Sequence, residues 1–311
     1  MELVLVGLGR MGGNMTRRLA RGGHLVTAVD PDPAAREALE DEPGVTTRAS
    51  VADAVSALSA PRVVWLMLPA GAVTESVLGE VSGLLADGDL VVDGGNANYR
   101  DSLRHAETLE QAGLSFVDVG VSGGVWGLSE GYGLMAGGTT ADIERLTPVL
   151  QTLAPAHDSG WVHAGPVGAG HFTKMVHNGI EYGAMQAIAE GFALLHARDD
   201  LVTDIPGVAE AWRYGTVIRS WLLDLTASVL ADDVDLGQVA PVVADSGEGR
   251  WTALEAIDLG VPAPVITAAL MQRFSSQGRG DYANQLLAMM RNSFGGHPVT
   301  SAQQHAGGVG I

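Results

Sequence analysis

ELVLVGLGRMG, residues 2–12, together with the apolar run that follows it and closes on Asp30, decides how the first half of this chain folds. Its first five residues, ELVLV, read as a parallel strand buried on both faces, because the apolar residues run on without alternation. Gly7-Leu8-Gly9-Arg10-Met11-Gly12 is a G-x-G-x-x-G, followed by a helical segment from Met15 to Arg21 and a second strand from Leu25 to Val29. In a chain with 42 glycines the spacing alone is a weak signal. Set between a strand and a helix, with an acid closing the next strand, it becomes a dinucleotide-binding fingerprint. The glycines allow a tight turn and a close approach of backbone to a pyrophosphate, and the helix N-terminus adds N–H donors and partial positive charge. Gly7, Leu8, Gly9, Arg10, Met11, Gly12 and Asp30 are therefore the cofactor candidates. Asp30 would accept hydrogen bonds from ribose hydroxyls and repel a ribose phosphate. No arginine follows it directly, since the next residues are Pro31, Asp32 and Pro33, so NAD is favoured over NADP.

The same alternation continues outward. A short strand is expected near Val45, then strands at Arg62–Leu68, Asp89–Asp93, Leu114–Val119 and Gly133–Gly138, with helices at Ala72–Leu85 and Ala141–Leu153 between them. Two loops stand out. Gly94-Gly95-Asn96 follows a strand end, where open α/β sheets bind ligands. Gly120-Val121-Ser122-Gly123-Gly124 is a small-residue loop whose amides could hold an anion. A glycine-rich boundary is expected over residues 162–170, and beyond it the chain reads as helical: His171–Arg198, Val208–Thr216, Ser220–Leu230, Leu254–Leu259, Ala263–Ser275 and part of Asn284–His297. A glycine-rich loop is expected at residues 245–252. The predicted fold is α/β, an N-terminal Rossmann-type doubly wound sheet followed by an all-α domain. Its divisions are 1–165 for the NAD-binding domain, 166–283 for a helical substrate and dimerisation domain, and 284–311 for a C-terminal tail.

Composition bounds the function. The apolar fraction of 46% supports a packed core. A formal net charge of −18 argues against nucleic acid as a partner, because phosphate backbones need a basic surface. It leaves room for a small anion held by a few converging cations. With no cysteine there are no disulfides, thiolate nucleophiles or cysteine metal sites. Met1 runs straight into an apolar strand without a basic leader, and no apolar run approaches a membrane span. A cytoplasmic enzyme with no membrane partner is the expectation.

The chemistry is expected on the first long helix of the second half, in TKMVHNGIEY, residues 173–182. Lys174, His177, Asn178, Glu181 and Tyr182 fall at i, i+3, i+4, i+7 and i+8, so one face carries an amine, an imidazole, an amide, a carboxylate and a phenol. At about 1.5 Å of rise per residue, Lys174 and Glu181 stand roughly 10 Å apart along the axis, the spacing of a base and an acid that lean toward one small molecule. Lys174 is the only lysine in the chain, which sets this face apart from a generic solvated one.

With these residues in place the chain resembles the decarboxylating 6-phosphogluconate dehydrogenases, and among the β-hydroxyacid dehydrogenases it is most like their short, NAD-preferring bacterial type. The resemblance rests on GLGRMGGN at 7–14, DGGN at 93–96 and DVGVSGGVWGLSEGYGLMAGG at 118–138. It extends to GAGHFTKMVHNGIEYGAMQ at 168–186, SGEGRWT at 246–252 and RNSFGGH at 291–297. It implies oxidative decarboxylation of 6-phosphogluconate to ribulose 5-phosphate and carbon dioxide with reduction of NAD, in the pentose phosphate pathway or gluconate metabolism. It implies that Lys174 is the general base and Glu181 the acid that protonates the enediol. Ser122, Gly123, Gly124 and His177 would hold the substrate carboxylate. Asn178 and Asn96 would hold hydroxyls, with Asn96 also near the cofactor. Tyr182, Arg250, Thr252 and Arg273 match phosphate contacts. Arg291 and His297 match tail residues that enter a neighbouring subunit's site, so a homodimer or homotetramer with shared active sites is implied.

Two departures accompany the resemblance. Arg250 stands where the long members commonly have lysine in a G-x-G-K-W-T run, and over these 311 residues no duplicated helical domain like that of those members is expected. No metal constellation is visible, and oxidation before decarboxylation needs none. Two other readings stay open: a β-hydroxyacid dehydrogenase that does not decarboxylate, and a non-catalytic module that senses NAD.

Overall fold

The computed structural model describes residues 1–300, so residues 301–311 of the expected tail lie outside the described residues. The chain forms two compact units, Met1–His177 and the residues from Asn178 onward. In the first unit the order is β1 (Glu2–Val6), α1 (Arg10–Arg21), β2 (Leu25–Val29), α2 (Pro33–Glu37), β3 (Val45–Arg48), α3 (Val51–Ser56), β4 (Val63–Leu66) and α4 (Ala72–Leu84). It continues with β5 (Leu90–Asp93), α5 (Tyr99–Glu110), β6 (Ser115–Ser122), α6 (Gly127–Glu130), β7 (Gly133–Gly137), α7 (Thr140–Leu153), β8 (Trp161–Gly165) and the start of α8 (Ala169–His196).

The strands form one sheet in the order β3-β2-β1-β4-β5-β6-β7-β8. All neighbours are parallel except β6 and β7. The chain winds outward from β1 in both directions, so the topological switch lies between β1 and β4, the place where such sheets bind ligands. Side chains alternate across the pleat and both faces are covered. Leu3, Leu5, Val26, Trp65, Val92 and Val117 pack under α1 and α7 on one side. Val4, Val6, Val64, Leu66, Val91 and Phe116 pack under α3, α4 and α5 on the other. That is why Leu3 to Val6 are apolar without interruption and not at alternate positions. Each fully buried large apolar side chain here contributes about 1.5–3 kcal/mol.

The second unit is helical: the rest of α8, then α9 (Ile205–Trp212), α10 (Trp221–Asp232), α11 (Glu248–Asp258), α12 (Pro264–Ser276) and α13 (Asp281–Gly295). Two small cores sit along α8. Phe192 packs with Ile205, Ala209 and Leu223, and Tyr182 packs with Ala253, Ala269 and Leu270.

The Rossmann-type sheet and the helical second half are as expected, but several elements differ from the sequence reading, the short helices α2, α3 and α6 among them. The segment read as a glycine-rich boundary contains strand β8, which pairs with β7 alone and is largely exposed. An edge strand of that kind has no need of the alternating apolar pattern that would reveal it. Helix α5 was not expected. Asn98 caps it, accepting from Arg100 N at 2.9 Å, and its buried face is Ser102, His105 and Leu109, too polar to show as an apolar period. Residues 245–252 are not all loop. Gly247, at φ +109°, starts α11, and Glu248 to Thr252 form its first turns. Its glycines are there for packing. A Cβ on Gly249 would overlap the Tyr182 ring, and one on Gly179 would press on the Thr252 side chain, so α8 and α11 approach closely only with glycine at both positions.

Candidate active site

The glycine turn is built as the fingerprint requires. Gly7 has φ +95° and donates from N to Val29 O at 2.8 Å. A Cβ on Gly7 would sit 2.5 Å from Met67 O, and one on Gly12 would overlap the Gly7 carbonyl oxygen. Gly9 differs, since a Cβ there would meet nothing within 4 Å. Gly7 and Gly12 thus close the turn and pack α1 against the strand ends, while Gly9 faces open space. The first hydrogen bond within α1 is Gly13 N to Gly9 O, so the amides of Arg10, Met11 and Gly12 belong to the helix end that has no partners of its own. Such a cradle fits a pyrophosphate. Beside it, Asp30 Oδ2 accepts from Leu8 N at 2.8 Å and Oδ1 from Asp32 N at 2.9 Å. The carboxylate is oriented by these bonds and keeps lone pairs for a ribose diol. The sequence reading missed a cation here: Arg36, from α2, donates to Asp30 O at 2.7 Å and Pro31 O at 2.9 Å. One helical turn brings it back to the corner where no arginine follows directly in sequence.

A cavity of about 500 Å³ opens at the switch point. It is lined by Gly7, Gly9, Arg10, Met11, Gly12, Asp30, Asn96 and Lys174, with Met67, Leu68, Pro69, Gly94, Gly95 and Val121 from the ends of β4, β5 and β6. The two ends of this unit, the glycine turn at residues 7–12 and Lys174, thereby share one wall, and the sole lysine faces the dinucleotide cradle. Met67, Leu68 and Pro69 were not among the expected residues, whereas Gly94, Gly95 and Val121 belong to the two loops singled out in the sequence. The signal for the first three was available in the sequence, because each stands just past the carboxyl end of a strand. Leu8 is buried and turned away from this cavity, toward a smaller one beside Asn14 and Arg17. Ser122 ends β6 directly after Val121, and Gly123 and Gly124 follow with φ +133° and +53°. The expected carboxylate loop therefore leaves the sheet at the rim of the cavity.

Lys174 is set there by the start of α8. The Asp118 carboxylate, fully buried on β6, accepts from Gly168 N at 2.6 Å and from His171 N at 2.7 Å, which caps the helix. Burial raises the Asp118 carboxyl above its ordinary range, opposed by the charge of His171 and by these N–H donors. His171 Nδ1 shares a 2.7 Å hydrogen bond with Ser102 Oγ on α5. One turn on, the Lys174 stem lies against Gly120 of β6, where a Cβ would overlap Lys174 Cβ. Gly120→Ala is expected to lower stability by about 1–3 kcal/mol through this overpacking, read from chemical denaturation. A variant as stable as the parent would show that the helix does not press on the strand.

Further along α8, His177 is exposed, Asn178 is buried, and Glu181 is half-buried. In the second unit Tyr182, Arg250 and Arg273 come together as a cluster. The Arg273 guanidinium stacks 3.4 Å above the Tyr182 ring centroid and donates to Ala244 O at 2.7 Å. Arg250 pairs with Asp245 at 2.7 Å. Tyr182 Oη donates to Asp245 Oδ1 at 3.3 Å and accepts from Ser246 N at 3.2 Å. Two guanidiniums, each with five donors, meet here beside the N-terminus of α11, a combination that suits a phosphate. Thr252 is buried and donates to Glu248 O at 2.8 Å. Arg291 is exposed on α13, and His297 lies just past its end, its carbonyl accepting from Asn292 Nδ2 at 2.8 Å. Among the described residues no group of three or more His, Asp or Glu is placed to hold a metal ion, and no helix is long and apolar enough to cross a membrane.

Comparison with known proteins points the same way. Residues 2–164 match the family model of the NAD binding domain of 6-phosphogluconate dehydrogenase. Residues 170–305 match that of the 6-phosphogluconate dehydrogenase C-terminal domain. The chain is 41% identical over 301 residues to the NAD(+)-dependent, decarboxylating 6-phosphogluconate dehydrogenase of Haloferax volcanii, covering 96% of this chain and 98% of that one. It is 37% identical over 284 residues to the Bacillus subtilis enzyme of the same name, covering 88% of this chain and 60% of that longer one. The solved structure of Plasmodium falciparum 6-phosphogluconate dehydrogenase superposes with a TM-score of 0.82 at 27% identity, over 97% of this chain and 66% of that one. A glycine cradle at the switch point, a single lysine facing it, and family models that match from residue 2 to residue 305 lead to one conclusion: the chain belongs to the 6-phosphogluconate dehydrogenase family.

Proposed function

We propose that this chain oxidises and decarboxylates 6-phosphogluconate to ribulose 5-phosphate and carbon dioxide, with NAD as the hydride acceptor. The observation that carries the reading is the shared cavity, in which Lys174 faces the glycine turn, Asp30 and Asn96. Bound NAD supplies the acceptor for the hydride. Neutral Lys174 takes the proton of the β-hydroxyl as that carbon is oxidised. The resulting ketone is an electron sink, so carbon dioxide can leave. The protonated lysine then hydrogen-bonds the ketone oxygen and stabilises the oxyanion of the enediol. Glu181, two turns along α8, protonates the enediol carbon. Ser122, Gly123, Gly124 and His177 hold the carboxylate, Asn96 and Asn178 the hydroxyls, and Tyr182, Arg250, Thr252 and Arg273 the phosphate. Arg291 and His297 complete the site of a neighbouring subunit, so the working form is a homodimer or homotetramer in the cytoplasm.

The test is NADH formation on adding 6-phosphogluconate, with gluconate as the control. Turnover of both alike would remove the phosphate contacts from the account, and turnover of neither would remove the activity.

The choice of NAD rests on Asp30. Its carboxylate accepts from the ribose diol, and charge-assisted hydrogen bonds of this kind are worth about 1.5–3 kcal/mol. Asp30→Gly removes these bonds and the repulsion of a 2′-phosphate, and leaves Arg36 beside the vacated corner. The ratio of kcat/KM for NADP over NAD is expected to rise by about 10- to 100-fold. An unchanged ratio would mean that Asp30 does not select the cofactor.

A further inference from the structure

We infer that Glu248 is a positioning residue for the substrate: it fixes the Asn178 side-chain amide so that the carbonyl oxygen, and not the NH2 group, is presented as the contact to a substrate hydroxyl. This rests on the function proposed above.

Asn178 lies one turn beyond Lys174 on α8 and is 8% exposed, and Glu248 opens α11 and is 4% exposed. Asn178 Nδ2 donates to Glu248 Oε1 at 2.9 Å. An ionised carboxylate has only acceptors, so it accepts the NH2 end of the amide and rejects the oxygen end. Turning the amide over would set Oδ1 against Oε1, two acceptors in a buried place, at a cost well above that of an ordinary hydrogen bond.

The backbone around the pair is arranged to bring it together. Glycine at 179 and 249 lets α8 and α11 approach until Thr252 lies against Gly179 and the Tyr182 ring against Gly249. Gly247, at φ +109°, starts α11 so that its first residue, Glu248, points inward. Burying a carboxylate is costly unless it is hydrogen-bonded, and the Asn178 amide supplies a hydrogen bond to it here. Sequence reading passed over Glu248 because it lies in what looked like a glycine-rich loop.

Glutamine at position 248 keeps the size but offers both a donor and an acceptor, so Asn178 could then bind in either orientation. Glu248→Gln is expected to raise KM for 6-phosphogluconate about tenfold, with KM for NAD unchanged. Because the effect passes through Asn178, it should vanish in an Asn178→Ala background, where Glu248→Gln adds nothing further to KM. Glu248→Asp, which keeps the acceptor character, should recover most of the loss. Melting curves for all variants separate this from simple unfolding. The inference is overturned if Glu248→Gln leaves KM unchanged, or if its effect is the same with and without Asn178, while the parent enzyme turns over normally. If the parent itself shows no turnover of 6-phosphogluconate, the proposed function fails first and this inference fails with it.

Discussion

Lys174→Met is expected to abolish oxidation of 6-phosphogluconate while leaving NAD binding intact. Methionine keeps an unbranched apolar stem against Gly120 and removes only the amine, so α8 keeps its seat on β6. General base catalysis contributes about 10²–10⁴-fold. The same amine also stabilises the enediolate, and the chain has no second lysine to stand in for it. A fall in kcat of at least about 10³-fold is the expected result. Titration of cofactor fluorescence should give a dissociation constant within a few fold of the parent. Appreciable turnover by the variant would remove Lys174 from the role of base.

Glu181→Gln is expected to fail at a different step. If Glu181 acts only after carbon dioxide has left, the first oxidation does not need it. The variant should form one equivalent of NADH per site at close to the parent rate and then stall, with steady-state kcat lower by about 10²-fold or more. Rapid-mixing absorbance at the NADH band reads both phases. A variant that loses the first-turnover burst as completely as Lys174→Met would show that the carboxylate acts in oxidation or binding and not in the final protonation. The two substitutions thus separate the two roles along a single helix.

How far the sequence could be read depended on whether each residue's task left a pattern. Strands β1, β2, β4 and β5 are buried on both faces and so appear as mainly apolar runs without alternation. Edge strand β8 and helix α5, whose buried face is largely polar, left no such trace. The glycine turn was legible because its glycines fall at fixed spacing, and the structure shows a steric demand at Gly7 and at Gly12 while Gly9 borders open space. The placement of Lys174 in the cofactor cavity was not legible from spacing, because it depends on Asp118 and Gly120, more than fifty residues earlier in the chain. Arg36 and Glu248 were hidden for a similar reason. The first is returned by a helical turn to a corner that the strand had already left. The second sits among glycines that look like loop and prove to be a helix–helix contact.

In the proposed reaction, oxidation and decarboxylation occur at one site, with Lys174 serving both. The most direct measurement supplies 6-phosphogluconate labelled with carbon-13 at C1, together with NAD, and follows labelled carbon dioxide and NADH in the same reaction. One labelled carbon dioxide is expected for each NADH, with both lost together in Lys174→Met. NADH formation with the label retained in an organic acid would contradict that reaction and identify a dehydrogenase that stops at the keto acid.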